Sequence, residues 1–495
     1  MRTHQPAITL VHIDPTQPES LHVQIYERLR HVITTGKLMP GMRLPSSRML
    51  AVELRVSRNT VLAAYAQLIA EGYADSRPGG GTYACPNIAD SGFSAVPKQK
   101  TLAASPDQSA VLSNRGRMLS APDVSWAARS RTGMAFRVGA PAFDAFAFSL
   151  WSRITSRVLK RKSRSIVGYG DAAGYLPLRE QVALYLATAR GVQCDLDQIV
   201  IVNGSQNALD LIARMLIDPG DTVWIEEPGY LGARAAFLGG GANLMGVPVD
   251  DEGLNVDEGL ARAKNRRLIY VTRSHQFPLG AIMSLDRRAE LIALARKTTA
   301  WIVEDDYDSE FRYSGRPLQA LQGMDDGGHV IYVGTFSKVL FPALRLGYIV
   351  VPKPLVKAFN VARVVSGFHT ATPEQAVLSE FMAEGHLVRH LRRMRELYRE
   401  RQQILLEAAA AELGGLVELA PSDAGMHLVG RPLNGRTDVE ISAAAARDGI
   451  DTMPLSIYYH DNAPRNGLLL GYTGVRPPLI WSGARDLASS MTRNG

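Results

Sequence analysis

From Pro86 to Ala128 the chain is rich in Ser, Ala, Pro, Asp, Gln and Lys, carries few large apolar side chains and shows no sustained period. Such a stretch cannot bury enough apolar surface to offset the entropy of ordering it, so it reads as a linker, flexible or only locally ordered. The chain must then build separate cores on the two sides of the break: a small domain over 15–85, and a larger part that pattern divides into 129–364 and 365–495. A length of 495 residues agrees with several domains. Apolar residues at 46% and charged residues at 21% are those of an ordinary globular protein. The two cysteines, Cys85 and Cys194, have no spacing that suggests a metal site or a disulfide framework, which fits a reducing cytoplasm. No apolar run is long enough for a membrane span, and Met1–Leu10 lacks the core of a signal peptide. The net charge of +7 permits nucleic-acid binding without showing it.

In the first region Ile25, Leu29, Val32 and Ile33 share one helix face. Pro40-Gly41 and Pro45 punctuate the chain, Ser46 is placed to cap a second short helix, and Ser57 to cap a third bearing Val61, Ala64, Tyr65, Leu68 and Ile69. Gly72 stands where that third helix would end. Tyr73–Ser76, the turn Arg77-Pro78-Gly79-Gly80-Gly81 and Thr82–Cys85 then read as a two-stranded wing. In a helix-turn-helix the start of the second helix meets phosphates and base edges, and Ser57, Arg58, Asn59 and Thr60 offer the donors for it. Those four residues alone would sooner suit an ordinary capped surface helix. Their company decides the reading: Arg43, Ser46, Ser47 and Arg48 at the preceding helix start, and Arg77 in the wing.

The stretch from Gly41 to Val61 resembles the GntR-type winged helix, and the resemblance covers about residues 20–85. It implies that Arg43, Ser46, Arg48, Ser57, Arg58, Asn59 and wing glycines such as Gly79 contact double-stranded DNA. The run Gly79-Gly80-Gly81 departs from the more usual Gly-Ser-Gly and removes one wing hydroxyl. Residues 1–85 hold nine Lys or Arg against six Asp or Glu, so the domain is only mildly basic and one copy is expected to bind non-specific DNA weakly.

In the larger part an apolar strand, Val330–Gly334, runs into Thr335, Ser337 and Lys338, with Arg345 seven residues beyond the lysine. A lone lysine is usually a solvated charge; one directly after an apolar strand and among hydroxyls is not the usual case. Trp301-Ile-Val-Glu-Asp-Asp-Tyr is a strand ending in carboxylates, and spacing does not fix which of Glu304, Asp305 and Asp306 points inward. Asn203-Gly-Ser-Gln-Asn follows a short strand and opens a helix whose first N–H groups can meet an anion. These segments resemble fold-type I aminotransferases over about residues 136–485. That family uses pyridoxal 5′-phosphate (PLP), which needs an amine for its aldehyde, donors for its phosphate and an acid for its ring nitrogen. The resemblance assigns Lys338 the aldehyde, Asp305 the ring nitrogen and Tyr307 the ring oxygen. It gives Thr335, Ser337, Arg345, Gly204, Ser205 and Gln206 the phosphate, and Tyr230, after Glu227-Pro-Gly, the ring face.

More narrowly, Tyr169-Gly-Asp-Ala-Ala-Gly-Tyr, Ser274-His-Gln-Phe-Pro-Leu-Gly, Asp305-Asp-Tyr-Asp-Ser-Glu-Phe-Arg-Tyr and Gly467-Leu-Leu-Leu-Gly-Tyr resemble the MocR subgroup of GntR regulators. The order of winged helix, linker and PLP domain agrees. The resemblance implies a homodimer in which Tyr169 reaches the phosphate of the other subunit, and it sets His275 and Gln276 near the ring hydroxyl. Arg465, before Gly467, is the candidate for an effector carboxylate. Arg273 replaces a proline common in the subgroup, which predicts a different strand exit. The expected fold is an N-terminal winged helix-turn-helix plus an α/β PLP-dependent transferase with a mostly parallel sheet and a small C-terminal α/β domain. Strands are expected near Ile199, Val223, Ile269, Ile302, Ile331 and Gly347, with the site at their carboxyl ends. The basic run Arg389, Arg392, Arg393, Arg395 and Arg399 reads as a solvated helix face. The expected function is transcription regulation, with an amino acid, an amine or PLP sensed through an imine on Lys338. Two rivals are a working aminotransferase with a vestigial DNA-binding domain and a DNA-binding protein whose large domain only dimerises.

Overall fold

The computed structural model describes residues 11–77, 80–85, 112–122, 134–298, 300–315 and 318–493, so Gly79 and most of the 86–128 segment lie outside the described residues. The chain divides into two units, 1–110 and 111–495.

In the first unit the apolar stripe around Ile25 becomes the buried face of α1 (Leu21–Thr34), packed on α3 (Arg58–Ala70). Between them lies α2 (Ser47–Glu53). Both short helices are capped as their sequences suggest: Ser46 Oγ accepts from Met49 N at 3.2 Å and Ser57 Oγ from Thr60 N at 3.1 Å. Arg58 Nε donates to Ser47 Oγ at 3.3 Å, which ties the starts of α2 and α3 together. The wing is β1 (Ala74–Arg77) against β2 (Gly81–Ala84), antiparallel, with Arg77 opposite Gly81. A Cβ at Gly81 would lie 2.7 Å from Arg43 Nε, so the missing side chain there is what lets Arg43 lie across the wing.

The second unit opens with a short helix inside the predicted linker, α4 (Asn114–Ser120), followed by α5 (Phe148–Ile166) and α6 (Leu176–Arg190). Strands and helices then alternate: β3 (Ile199–Val202), α7 (Ser205–Leu216), β4 (Thr222–Glu227), α8 (Leu231–Gly239), β5 (Asn243–Asp250), β6 (Gly253–Leu254), α9 (Val256–Arg262), β7 (Leu268–Val271), α10 (Leu285–Thr298), β8 (Trp301–Asp306), β9 (Val330–Thr335) and β10 (Gly347–Val350). All six expected strand centres fall within these. The sheet order is β3-β10-β9-β8-β7-β4-β5-β6. Neighbours from β9 through β5 run parallel, while β10 is antiparallel to both β3 and β9, and β6 folds back on β5. Strands such as Ile199–Val202 and Val330–Thr335 are buried along their whole length, as a sheet covered on both faces requires.

The chain continues through α11 (Val356–Gly367), α12 (Thr372–Ala383) and the long α13 (His386–Glu412). A small antiparallel sheet follows, ordered β11 (Val417–Leu419), β12 (His427–Pro432), β14 (Leu468–Gly471), β13 (Met453–Pro454). It is backed by α14 (Asp438–Arg447) and α15 (Pro477–Thr492). Arg389, Arg392, Arg393, Arg395 and Arg399 are on α13, all five exposed. No described helix is long and apolar enough to cross a membrane.

Candidate functional site

Successive side chains of a strand point to opposite faces, and on β8 this separates three neighbouring acids. Glu304 and Asp306 share one face, where each meets a buried guanidinium: Arg273 binds Glu304, and Arg190 Nε lies 3.2 Å from Asp306 Oδ2. Tyr332 also donates to Asp306, at 2.5 Å. Asp305 alone points the other way and accepts from the Tyr270 hydroxyl at 2.8 Å. Its second oxygen, Oδ1, is buried without a partner. Burial raises the Asp305 carboxyl to about 7, against a pull downward from the Tyr270 hydroxyl.

Asp305 lines a cavity of about 290 Å³ at the carboxyl ends of the parallel strands. Each strand end delivers its residue: Tyr230 after β4, Thr272 after β7, Asp305 and Tyr307 on and after β8, and Thr335, Ser337 and Lys338 at and after β9. Ser205 and Gln206 come from the first turn of α7, and Arg345 from the bend before β10, in a left-handed conformation with φ 51°. Lys338 Nζ donates to Gly139 O at 3.0 Å, and a Cβ at Gly139 would sit 2.5 Å from that nitrogen, so only glycine leaves the lysine its place. Burial pushes the Lys338 amine down, which favours its neutral, nucleophilic form; Asp308 and Asp305 oppose this and the Arg137 charge adds to it.

The donor set can be tested against a phosphorylated pyridine aldehyde. Ser337 Oγ is a second buried atom without a partner, and with Ser205, Gln206, Thr335 and Arg345 it forms a group of donors suited to a phosphate dianion. Asp305 Oδ1 is the acceptor a protonated ring nitrogen needs, and Lys338 is an amine in the same cavity. On these observations the residues fit the group.

Other expected residues lie around the cavity rather than in its lining. Gly204, with φ 82°, stands behind Arg345: a Cβ there would be 3.5 Å from the guanidinium carbon. His275 is buried beneath Tyr307, with Nδ1 3.0 Å from the Tyr307 hydroxyl, and that hydroxyl donates to His275 O at 3.0 Å. His275 therefore aims Tyr307 rather than facing the cavity. Gln276 turns to Pro228 O, at 2.7 Å. Tyr169 is 91% exposed, its ring 5.3 Å from that of Phe368.

The placement of Arg465 is corrected. It is exposed and is not among the residues that line the cavity; in the loop before it, the backbone N–H groups of His460, Asp461 and Asn462 donate to the Glu227 carboxylate. The cavity instead takes Arg137, together with Asp451, Met453 and Tyr458, from segments remote in sequence. Nothing in the local pattern of Phe136-Arg137-Val138 marks it; only the proximity of Gly139 to Lys338 does.

In the first unit Arg43, Arg48, Ser57, Arg58 and Asn59 are exposed at or near the starts of α2 and α3, with Ser46 and Thr60 acting in the caps. Arg77 is exposed on the wing, 4.6 Å over the Tyr83 ring.

Two families match the chain: bacterial regulatory proteins of the gntR family over residues 21–84, and aminotransferase class I and II over residues 132–460. The probable rhizopine catabolism regulatory protein MocR of Rhizobium meliloti is 41% identical, over 95% of this chain and 94% of that one. This chain is a MocR-type GntR regulator. The pyridoxine biosynthesis transcriptional regulator PdxR of Corynebacterium glutamicum, 31% identical over 93% of both chains, carries the likeness across both units of this MocR-type protein. The multiple substrate aminotransferase of Thermococcus profundus superposes with a TM-score of 0.69 at 29% identity, covering 77% of this chain and 97% of its own. The MocR-type chain therefore joins a DNA-binding winged helix to an aminotransferase fold, and it regulates transcription.

Proposed function

We propose that this regulator holds PLP in the cavity around Lys338, senses there an amino compound or PLP itself, and changes its grip on a double-stranded DNA operator in response. The observation that carries the reading is Asp305: a buried carboxylate oxygen without a partner, in one cavity with a buried lysine. When bound, PLP supplies an aldehyde that joins covalently to amines and a ring that withdraws electrons. Lys338 would hold the aldehyde and Asp305 the ring nitrogen. Tyr307, aimed by His275, would hold the ring oxygen, and Tyr230 would cover one ring face. Ser205, Gln206, Thr335, Ser337 and Arg345 would hold the phosphate. An effector entering beside Lys338 meets Arg137, which takes the carboxylate role first assigned to Arg465.

The exposed apolar side chains Val167, Tyr169, Val365 and Phe368 support a homodimer, in which Tyr169 would reach toward the second site and two winged helices would read two half-sites. Arg43, Arg48, Ser57, Arg58, Asn59, Thr60, Arg77 and Gly79 would make the DNA contacts. Two widely separated free cysteines and the absence of a spanning helix among the described residues support a cytoplasmic protein. The test is Lys338→Ala. The variant should lose the visible absorbance of the PLP-loaded protein and the response of operator binding to added amines; retention of both would overturn the reading. An assay with an amine and a keto acid separates sensing from turnover.

A further inference from the structure

We propose that α4 reports the state of the cavity to the segment leading to the DNA-binding domain, through α8 as a strut. The inference rests on the PLP reading above and names the element that carries its regulation.

One end of α8 is in the cavity wall: Tyr230 precedes its first turn and Leu231 opens it, and both line the site. Its nine residues make a rod of ~13 Å. At the far end Gly239 and Gly241 form a floor without side chains, and α4 rests on it. A Cβ at Gly239 would lie 3.1 Å from Leu119 Cδ2, and one at Gly241 3.3 Å from Met118 Sδ. In the last turn of α8, two residues before Gly239, the Phe237 ring is 5.8 Å from that of Tyr270, whose hydroxyl binds Asp305. Packed contacts thus run from the cavity acid to the floor under α4. The small domain also holds α8, since Arg234 Nη1 donates to Tyr459 O at 3.0 Å.

The helix α4 is made to be released. It has seven residues, far fewer than an isolated helix needs, and Gly116 weakens it further. None of its residues is fully buried, and Leu119 is 46% exposed, so few contacts hold it. The Ser113 cap, accepting from Gly116 N at 3.0 Å, gives it a defined start when docked. An element of low local stability resting on a rod anchored in the site has two states, and the site can bias them.

The experiment uses the full-length protein with PLP as the probe, and a DNA duplex selected from a random pool by the PLP-loaded protein. Hydrogen exchange of the peptide spanning residues 112–120 should slow at least fivefold on PLP loading, and PLP should change duplex affinity at least fivefold. Leu119→Asp, at a half-exposed position, should keep the visible PLP absorbance, exchange fast in both states, and bring the PLP effect on DNA below twofold. Gly239→Leu, which fills the floor, should do the same. Full retention of the PLP effect in both variants overturns the proposal. So does a wild-type protein that shows the absorbance while neither exchange nor DNA affinity responds. A protein that shows no absorbance on adding PLP overturns the cofactor reading and this inference with it.

Discussion

Replacing Asp305 by asparagine should do two opposite things. The fold keeps this carboxyl protonated up to about 7, whereas an unfolded aspartate ionises near 3.8. A group whose folded pKa is raised holds protons that the unfolded chain has given up, so its contribution to stability falls as pH rises from about 4 to about 7 and is constant above that. The difference is about three units, and at 1.36 kcal/mol each the ionised, PLP-free protein carries a penalty on the order of 4 kcal/mol. Asparagine keeps the shape and can accept from Tyr270 without ionising. In calorimetric scans of PLP-free protein, the aminotransferase-domain transition of Asp305→Asn should lie closest to wild type at the acid end of the range, near pH 4. It should then rise above wild type by several degrees as pH approaches 8. With PLP the order should reverse, because a neutral amide cannot stabilise a protonated ring nitrogen, and the variant should lose its visible band at lower dilution. A gap between variant and wild type that is flat from pH 5 to 8 would refute the argument, since Asp305 would then ionise in the fold as it does in water.

Arg273→Met leaves Glu304 buried without its cation and should destabilise the aminotransferase domain by about 3–5 kcal/mol; Glu304→Gln as the second change removes the charge, keeps an acceptor for the Leu321 and Gln322 N–H groups, and should restore part of it, with chemical denaturation reading both. Arg55 occupies the left-handed region at φ 54° just after α2. Arg55→Gly should stabilise the winged helix by roughly 1 kcal/mol, seen as a later first transition on heating. Replacing Ser57, Arg58 and Asn59 together by alanine should weaken operator binding by roughly a hundredfold or more and leave PLP absorbance unchanged, as titrated side by side.

The winged helix and six of the eight strands of the large sheet were legible because local pattern and tertiary position agree there; β5 and β6 were not expected. Caps at Ser46 and Ser57, the stripe from Ile25 to Ile33, and unbroken apolar strands are signals that neighbours in sequence carry by themselves. The order Thr335, Ser337, Lys338 after a strand was legible for the same reason. Arg137, Asp451 and Tyr458 were not, since they reach the cavity only when segments hundreds of residues apart pack together. Arg465 was misplaced because nearness in sequence to β14 says nothing about a loop that Glu227 holds by its backbone. The helix α4 was hidden in a composition suited to a linker; it depends on a floor of glycines that no pattern within residues 114–120 encodes. Arg273 also serves as the counter-ion of Glu304, a role that its place in the sequence does not mark.

Three consecutive acids on β8 make the phase of that strand a chemical specification. One inserted or deleted residue would turn Asp305 toward the guanidiniums and bring Glu304 or Asp306 round to the ring nitrogen's place. Every charge in the layer would be mismatched at once, although the composition would hardly change. Drift in this stretch can therefore proceed by exchange of side chains but not by indels, and any change of length has to be absorbed outside the strand, in the connections before Trp301 or after Asp306.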